Sequence, residues 1–161
     1  MQSNIRLQKD VSSAMEDLTL YRSVVRTLQY IPITRPKLSF VVNKVCQFMH
    51  NLQDHHWKAV KRILRYLAHT PLHGLLIKHC SSSNILTFSD VDKGSDVDDR
   101  KSTTAYCVYF GSNLVSWSSH KQHVVSHSST EAEYRSIVVV LTKVLWLQSL
   151  LHELHISTSQ P

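Results

Sequence analysis

The feature that most constrains this chain is a change of hydrophobic period near Thr70-Pro71. Before it, apolar residues recur at helical spacing; after it, short alternating runs separated by polar turns take over, and a long helical pattern closes the sequence. Tyr21, Val24, Val25 and Leu28 fall on one face of a helix that begins near Thr19. Ile33-Thr34-Arg35-Pro36 then resets direction, because Pro36 can open a helix but not continue one. A second helix carries Leu38, Val41, Val42, Val45, Phe48, Met49 and Leu52 as its buried stripe. Asp54 can cap a third, from about His55 to Ala68, whose apolar positions are Trp57, Val60, Leu64 and Leu67. Beyond the break, Leu75-Leu76-Ile77-Lys78-His79 reads as a short strand. Ile85 to Asp90, Thr103 to Phe110 and Leu114 to Ser119 read as three more, the last two joined through Gly111-Ser112-Asn113. A long helix follows from about Thr130 to Leu154, with Tyr134, Ile137, Val138, Leu141, Leu145 and Leu151 among its apolar positions. Thr130-x-x-Glu133 fits a capping box at its start. The fold class expected is α+β, with a polar tail over residues 1–18, a helical segment over 19–72, and a three-stranded antiparallel sheet with a long helix over 73–161.

Composition excludes several alternatives. An apolar fraction of 42% with 19% charged residues suits a globular chain rather than a disordered one. No window reads as the roughly 20 apolar residues of a membrane helix, and Met1-Gln2-Ser3-Asn4-Ile5-Arg6 lacks a signal-peptide core, so an intracellular location without a membrane partner is expected. Cys46, Cys80 and Cys107 are far apart and without a C-x-x-C pair, which argues against a disulfide framework or zinc ribbon. The net charge of +6 is uneven: residues 1–80 carry 12 Lys/Arg against 4 Asp/Glu, and residues 81–161 carry 6 against 8. One half suits a polyanion, and the other gathers carboxylates.

Two segments could carry chemistry. Lys58, Lys61, Arg62 and Arg65 recur at helical spacing and can lie along phosphates, although a solvated amphipathic face is the commoner origin of such a strip. From Asp90 to Asp99, five aspartates in ten residues follow an apolar strand. Oxygen-only clusters suit hard divalent cations, magnesium above all, while a solvated acidic turn is the commoner explanation from spacing alone. Glu131 and Glu133 lie two apart on a helix and point about 200° away from each other, so at most one faces a given site. Either can simply stabilise the first turn. His120, His123 and His127 lack the spacing of a zinc set, and Cys46 belongs to an apolar stripe.

Together these stretches resemble the Pol polyprotein of plant copia-type retrotransposons, from about Leu18 onward. The matching residues are Tyr21-Arg22-Ser23, Thr34-Arg35-Pro36, Val42 to Met49, His56 to Leu67, Phe88-Ser89-Asp90, Asp98 to Thr103, Val115 to Ser119 and Ser129 to Arg135. The helical part is similar to the thumb and connection of the reverse transcriptase, which grips a template–primer duplex. The later part is similar to the opening strands and first helix of ribonuclease H, which cleaves the RNA of an RNA–DNA hybrid with two magnesium ions held by four carboxylates. The resemblance implies that Asp90 is the first-strand aspartate and Glu133 the first-helix glutamate, as catalytic and metal-binding residues. It also implies that Lys58, Lys61, Arg62 and Arg65 contact an RNA–DNA hybrid or DNA duplex. The family's third and fourth carboxylates lie beyond this helix, and Lys93-Gly94-Ser95 stands where the family usually has Trp-Ala-Gly. The expectation is a fragment inactive on its own. A domesticated nucleic-acid-binding module is the alternative; a third reading, a secreted effector, rests on the R-x-L-R pattern of Arg62-Ile63-Leu64-Arg65.

Overall fold

The computed structural model describes residues 17–50 and 52–156. The chain divides into two compact units, residues 1–75 and 76–161. In the first, α1 (Leu18–Leu28) is followed by two 3-10 turns, Ile31–Ile33 and Pro36–Leu38, then α2 (Ser39–Cys46) and α3 (Asp54–His69). Of the polar tail expected over residues 1–18, all but Asp17 and Leu18 lie outside the described residues. Those two belong to the helix: the Asp17 carboxylate accepts the Leu20 N–H at 2.9 Å, and Leu18 opens α1. The core is built from Tyr21, Val25, Leu28, Leu38, Val42, Val45, Leu52, Val60 and Ile63. Each such side chain, fully withdrawn from water, contributes about 1.5–3 kcal/mol.

Three expectations about this unit change. The second helix ends at Cys46 rather than running to Leu52, and the Val45 carbonyl at its end accepts both the Tyr21 hydroxyl at 2.8 Å and the Phe48 N–H at 3.3 Å. Gln47, Phe48 and Met49 then bond three residues back, the tighter pattern of a terminating turn. Phe48 and Leu52 are still buried, but from this turn and beyond it. The cap of α3 is Gln53, not Asp54: the Gln53 side chain accepts the His56 N–H while the Gln53 N–H donates to His56 Nδ1 at 3.2 Å. Asp54 occupies the first helical position, where its charge favours the helix dipole. On α3, Val60 is buried and Trp57 and Leu67 pack against the core as expected, but Leu64 is exposed and Ile63 is buried instead. His56 is fully buried and stacks on Phe48 at 4.0 Å.

The second unit is a meander with one helix: β1 (Ile85–Asp92), β2 (Thr103–Phe110), β3 (Asn113–Lys121) and α4 (Ser129–Glu153). The sheet order is β1-β2-β3, antiparallel throughout, which establishes an α+β class for the chain. Gly111, at φ +58°, opens the two-residue turn between β2 and β3, where any Cβ would meet the Ser82 carbonyl at 2.6 Å and the Cys80 sulfur at 2.8 Å. Thr104, Tyr106 and Val108 alternate inward on β2, and Tyr106 and Val108 form a small core with Val140 of α4. Ile85, Val139, Val144 and Leu147 pack against it.

Residues 75–79 do not form the expected strand. Among the described residues, no backbone partner reaches them. Instead the Asn113 side chain grips the Lys78 backbone, accepting its N–H and donating to its carbonyl, both at 2.8 Å. The start of α4 also differs. Ser128, not Thr130, is the cap, accepting the Glu131 N–H at 3.0 Å. The membrane expectation needs correction too. By length and composition α4 could cross a bilayer, since its apolar run is broken by few charges. Most of the apolar residues read from its pattern, Tyr134, Ile137, Val138, Leu141 and Leu145, are exposed; Ala132, Ser136, Val140 and Leu151 are the buried ones.

Candidate functional site

The acidic segment is organised by a lysine from another strand. Asp96 is buried, its Oδ1 accepting the Asp98 N–H at 3.0 Å and the Asp99 N–H at 3.4 Å. The Lys121 ammonium at the end of β3 sits 2.9 Å from Asp96 Oδ2 and 2.9 Å from Asp99 Oδ1. Lys101 is 3.4 Å from the other Asp99 oxygen. Burial pushes the Asp99 carboxyl up, but the hydrogen bonds from Lys121 and the Lys101 N–H, with the Lys121 charge, outweigh it and hold the group below its ordinary range. Burial likewise opposes charge on Lys121, and the two carboxylates outweigh it, raising the ammonium. Neither a solvated turn nor a cation cage describes this arrangement. Among the described residues, no three His, Cys, Asp or Glu side chains form a group that could hold a metal ion.

Asp90 stands apart from that knot. It is exposed on β1 opposite Ala105, with its Oδ1 accepting the Val91 N–H at 2.9 Å. Ser89 pairs with Tyr106, which packs toward α4, so strand alternation puts Asp90 on the other face beside Leu86 and Phe88. Glu133 approaches from the helix. It lies seven and eleven residues before Val140 and Val144, which places it on the sheet-facing stripe, exposed in the first turns of α4. Glu131 points elsewhere and is already used: its Oε2 accepts the His127 N–H at 2.7 Å and its Oε1 pairs with Arg135 at 2.6 Å. The His127 N–H is the main reason its carboxyl is held below the usual range. The structure thus separates the two glutamates by role: Glu131 is engaged at the start of α4, and Glu133 is exposed.

Lys58, Lys61 and Arg65 are exposed on α3, and Arg62 beside them is half-buried. Val60 and Ile63 hold the opposite side of the helix in the core, so the cationic strip is fixed on a rigid element. The R-x-L-R tetrad lies within this helix, with Ile63 as a core residue. Cys46 receives a hydrogen bond from Gln29 at 3.3 Å, and burial raises its thiol. Burial chiefly, with His123 nearby, lowers His120.

Two residues that sequence reasoning passed over join the elements of the second unit. Lys121 is one. Gln122 is the other: its side-chain NH2 donates to Thr104 Oγ1 at 2.9 Å and to the Ala132 carbonyl at 3.2 Å, and its oxygen accepts from Ser126 at 3.1 Å. Its own N–H donates to the Ser102 carbonyl at 2.8 Å. A polar residue directly after an alternating run was the one available signal for it.

Among known proteins, the chain is similar to the retrovirus-related Pol polyprotein from transposon RE2 of Arabidopsis thaliana, with 45% identity over 100% of this chain and 11% of that protein. It is similar to the corresponding polyprotein from transposon RE1 of the same plant, with 47% identity over 91% of this chain and 10% of that protein. Similarity to the secreted RxLR effector protein 161 of Plasmopara viticola is 37% over 79% of this chain and 90% of that protein. The chain therefore spans about a tenth of the length of the polyproteins it matches. No family model matches the sequence, and no solved structure matches it.

Proposed function

Because this chain belongs to the family of retrovirus-related Pol polyproteins from copia-type transposons, we propose that it corresponds to the closing helices of a reverse transcriptase followed by the opening of a ribonuclease H domain. The observation that carries this reading is the order of parts in the second unit. A strand bearing Asp90 leads an antiparallel meander, and the helix packed on that meander presents Glu133, rather than Glu131, on its sheet-facing stripe. That is the order the resemblance implies for the first two carboxylates of the nuclease.

The residues present do not fit a two-magnesium centre. Asp96 and Asp99 are committed to Lys121, and among the described residues no three His, Cys, Asp or Glu side chains form a group that could hold a metal ion. Two ions spanning the attacking and leaving oxygens need a converging carboxylate set. The activity proposed for the chain is therefore binding without cleavage. The ligand is an RNA–DNA hybrid or DNA duplex inside the cell, held by phosphate contacts from Lys58, Lys61, Arg62 and Arg65. The effector reading gains nothing from the R-x-L-R tetrad, which is part of a packed helix.

Fluorescence anisotropy with a labelled RNA–DNA hybrid tests the binding half. Affinity should fall with salt at a log–log slope of about −3 to −4, and replacing the four cations by Ala should flatten that slope. Binding that is indifferent to those replacements removes the proposal. The same hybrid incubated with magnesium should remain uncut, and turnover abolished by Asp90→Asn would show that a competent centre assembles after all.

A further inference from the structure

Resting on the reading of Lys58, Lys61, Arg62 and Arg65 as phosphate contacts, we propose that His69 is a fifth one, made only when its ring carries a proton. The hold on an RNA–DNA hybrid then tightens as pH falls. His69 follows Arg65 by four residues, Arg62 by seven, Lys61 by eight and Lys58 by eleven. Those separations keep all five side chains within an arc of about 100° on an α-helix. At a rise of 1.5 Å per residue, His69 extends the row by about 6 Å. Like Lys58, Lys61 and Arg65, it is exposed. His55 lies three residues before Lys58, at the other end of the row, but it is turned inward: it is half-buried, with its ring centroid 4.0 Å from that of the fully buried His56.

The His69 ring is already oriented for this role. A carbonyl only accepts hydrogen bonds, so the 2.7 Å contact with the Arg65 carbonyl requires His69 Nδ1 to carry its hydrogen. In the neutral ring Nε2 then holds the lone pair, and a proton taken up there creates a second donor without breaking the bond to Arg65. His69 is also the basic residue of the last turn of α3. While the ring is neutral, the row ends at the negative pole of the helix dipole, which disfavours a phosphate; once charged, the ring puts a cation there. The charged groups around it are cations. From the segment before α2, the Arg35 guanidinium donates to Thr70 Oγ1 at 3.2 Å and to the Pro71 carbonyl at 3.0 Å. Arg65 lies one turn back on α3, and His73 follows in the turn whose N–H reaches the Thr70 carbonyl at 3.2 Å. Asp54, the acidic residue of the first turn, is about 22 Å away along the helix. The phosphate of a bound strand is therefore the anion that stabilises the charged ring. Binding takes up a proton, and affinity rises as pH falls through the range in which histidine gains charge, about 8 to 5.

Fluorescence anisotropy of the full chain with a labelled RNA–DNA hybrid, at about pH 8 and about pH 5.5 in about 0.1 M salt, reads this coupling. One added phosphate contact should tighten wild-type binding by about 5–10-fold at the lower pH and steepen the log–log salt slope by about 0.9. His69→Gln should bind as wild type does at the higher pH and lose most of the gain at the lower one. His69→Lys should bind at the higher pH as tightly as wild type does at the lower, because an ammonium is charged at both. Misfolding cannot produce that gain. A wild type without pH dependence, a dependence that survives intact in His69→Gln, or a His69→Lys variant no tighter than wild type at the higher pH overturns the proposal and leaves the four-cation strip standing. A chain that binds the hybrid at neither pH overturns both.

Discussion

Replacing Lys121 by Met removes the ammonium that sits 2.9 Å from the Asp96 carboxylate, in a site that water barely reaches. The Asp96 side chain is 3% exposed and that of Lys121 22%. Removing one member of a buried ion pair typically costs about 3–5 kcal/mol. Asp96 keeps the amides of Asp98 and Asp99, and solvent can approach from the lysine side, so we expect a loss at or below the low end of that scale, about 2–3 kcal/mol. For a unit of this size the loss corresponds to roughly 10–20 °C in Tm. Urea denaturation followed by circular dichroism measures it, with the second unit's transition analysed separately if the two units unfold in different ranges. Adding Asp96→Asn to Lys121→Met should restore at least about 1 kcal/mol, because the amide still accepts the two backbone bonds without a charge to bury. A Lys121→Met loss below about 0.5 kcal/mol, or a double variant no more stable than the single one, would refute the idea that a buried charge organises this loop.

The same knot predicts an acid dependence. Asp99 titrates below its ordinary 3.8, so its stabilisation is present above that value and is lost as pH falls through the lower folded value. Wild type and Lys121→Met should therefore converge in stability as pH falls below 3.8, and a gap that does not narrow there would count against the pairing. Gln122→Leu should cost about 2–3 kcal/mol, since it strands Thr104, Ser126 and the Ala132 carbonyl at once. A loss within the error of a surface substitution, measured by thermal unfolding, would mean that water replaces the amide without penalty.

What could be read in the sequence was what depends on near neighbours. β2 was legible to the residue because Thr104, Tyr106 and Val108 alternate inward and Gly111 marks its turn. α1 and α3 were legible because their apolar residues repeat every three or four positions. Contacts between distant segments were not. Nothing local distinguishes Asp96 as the one aspartate that becomes buried, because its partner Lys121 lies 25 residues later. Ser128-x-x-Glu131 and Thr130-x-x-Glu133 are equivalent patterns, and only the path of the loop from Lys121 decides which becomes the cap. The early end of the second helix coincides with another such distant contact, the Tyr21 hydroxyl of α1 on the Val45 carbonyl. The site reading shares this limit. Asp90 and Glu133 were identifiable as residues, but whether they face one another depends on the pleat of β1 and on which face α4 covers.

The Asn113 clamp on Lys78 carries a consequence for the order in which the second unit assembles. Asn113 is the first residue of β3, across the two-residue turn from Phe110, so it is positioned only once that hairpin has formed. The clamp on Lys78 needs the Asn113 side chain already set at the head of β3, and closing the loop between the two carries its own entropic cost. The hairpin therefore comes first, and residues 76–80 are recruited to its tip afterwards. Once recruited, the Lys78 amide is shielded by a side chain rather than by a strand, so its hydrogen exchange reports on the hairpin tip and not on the opening of the sheet.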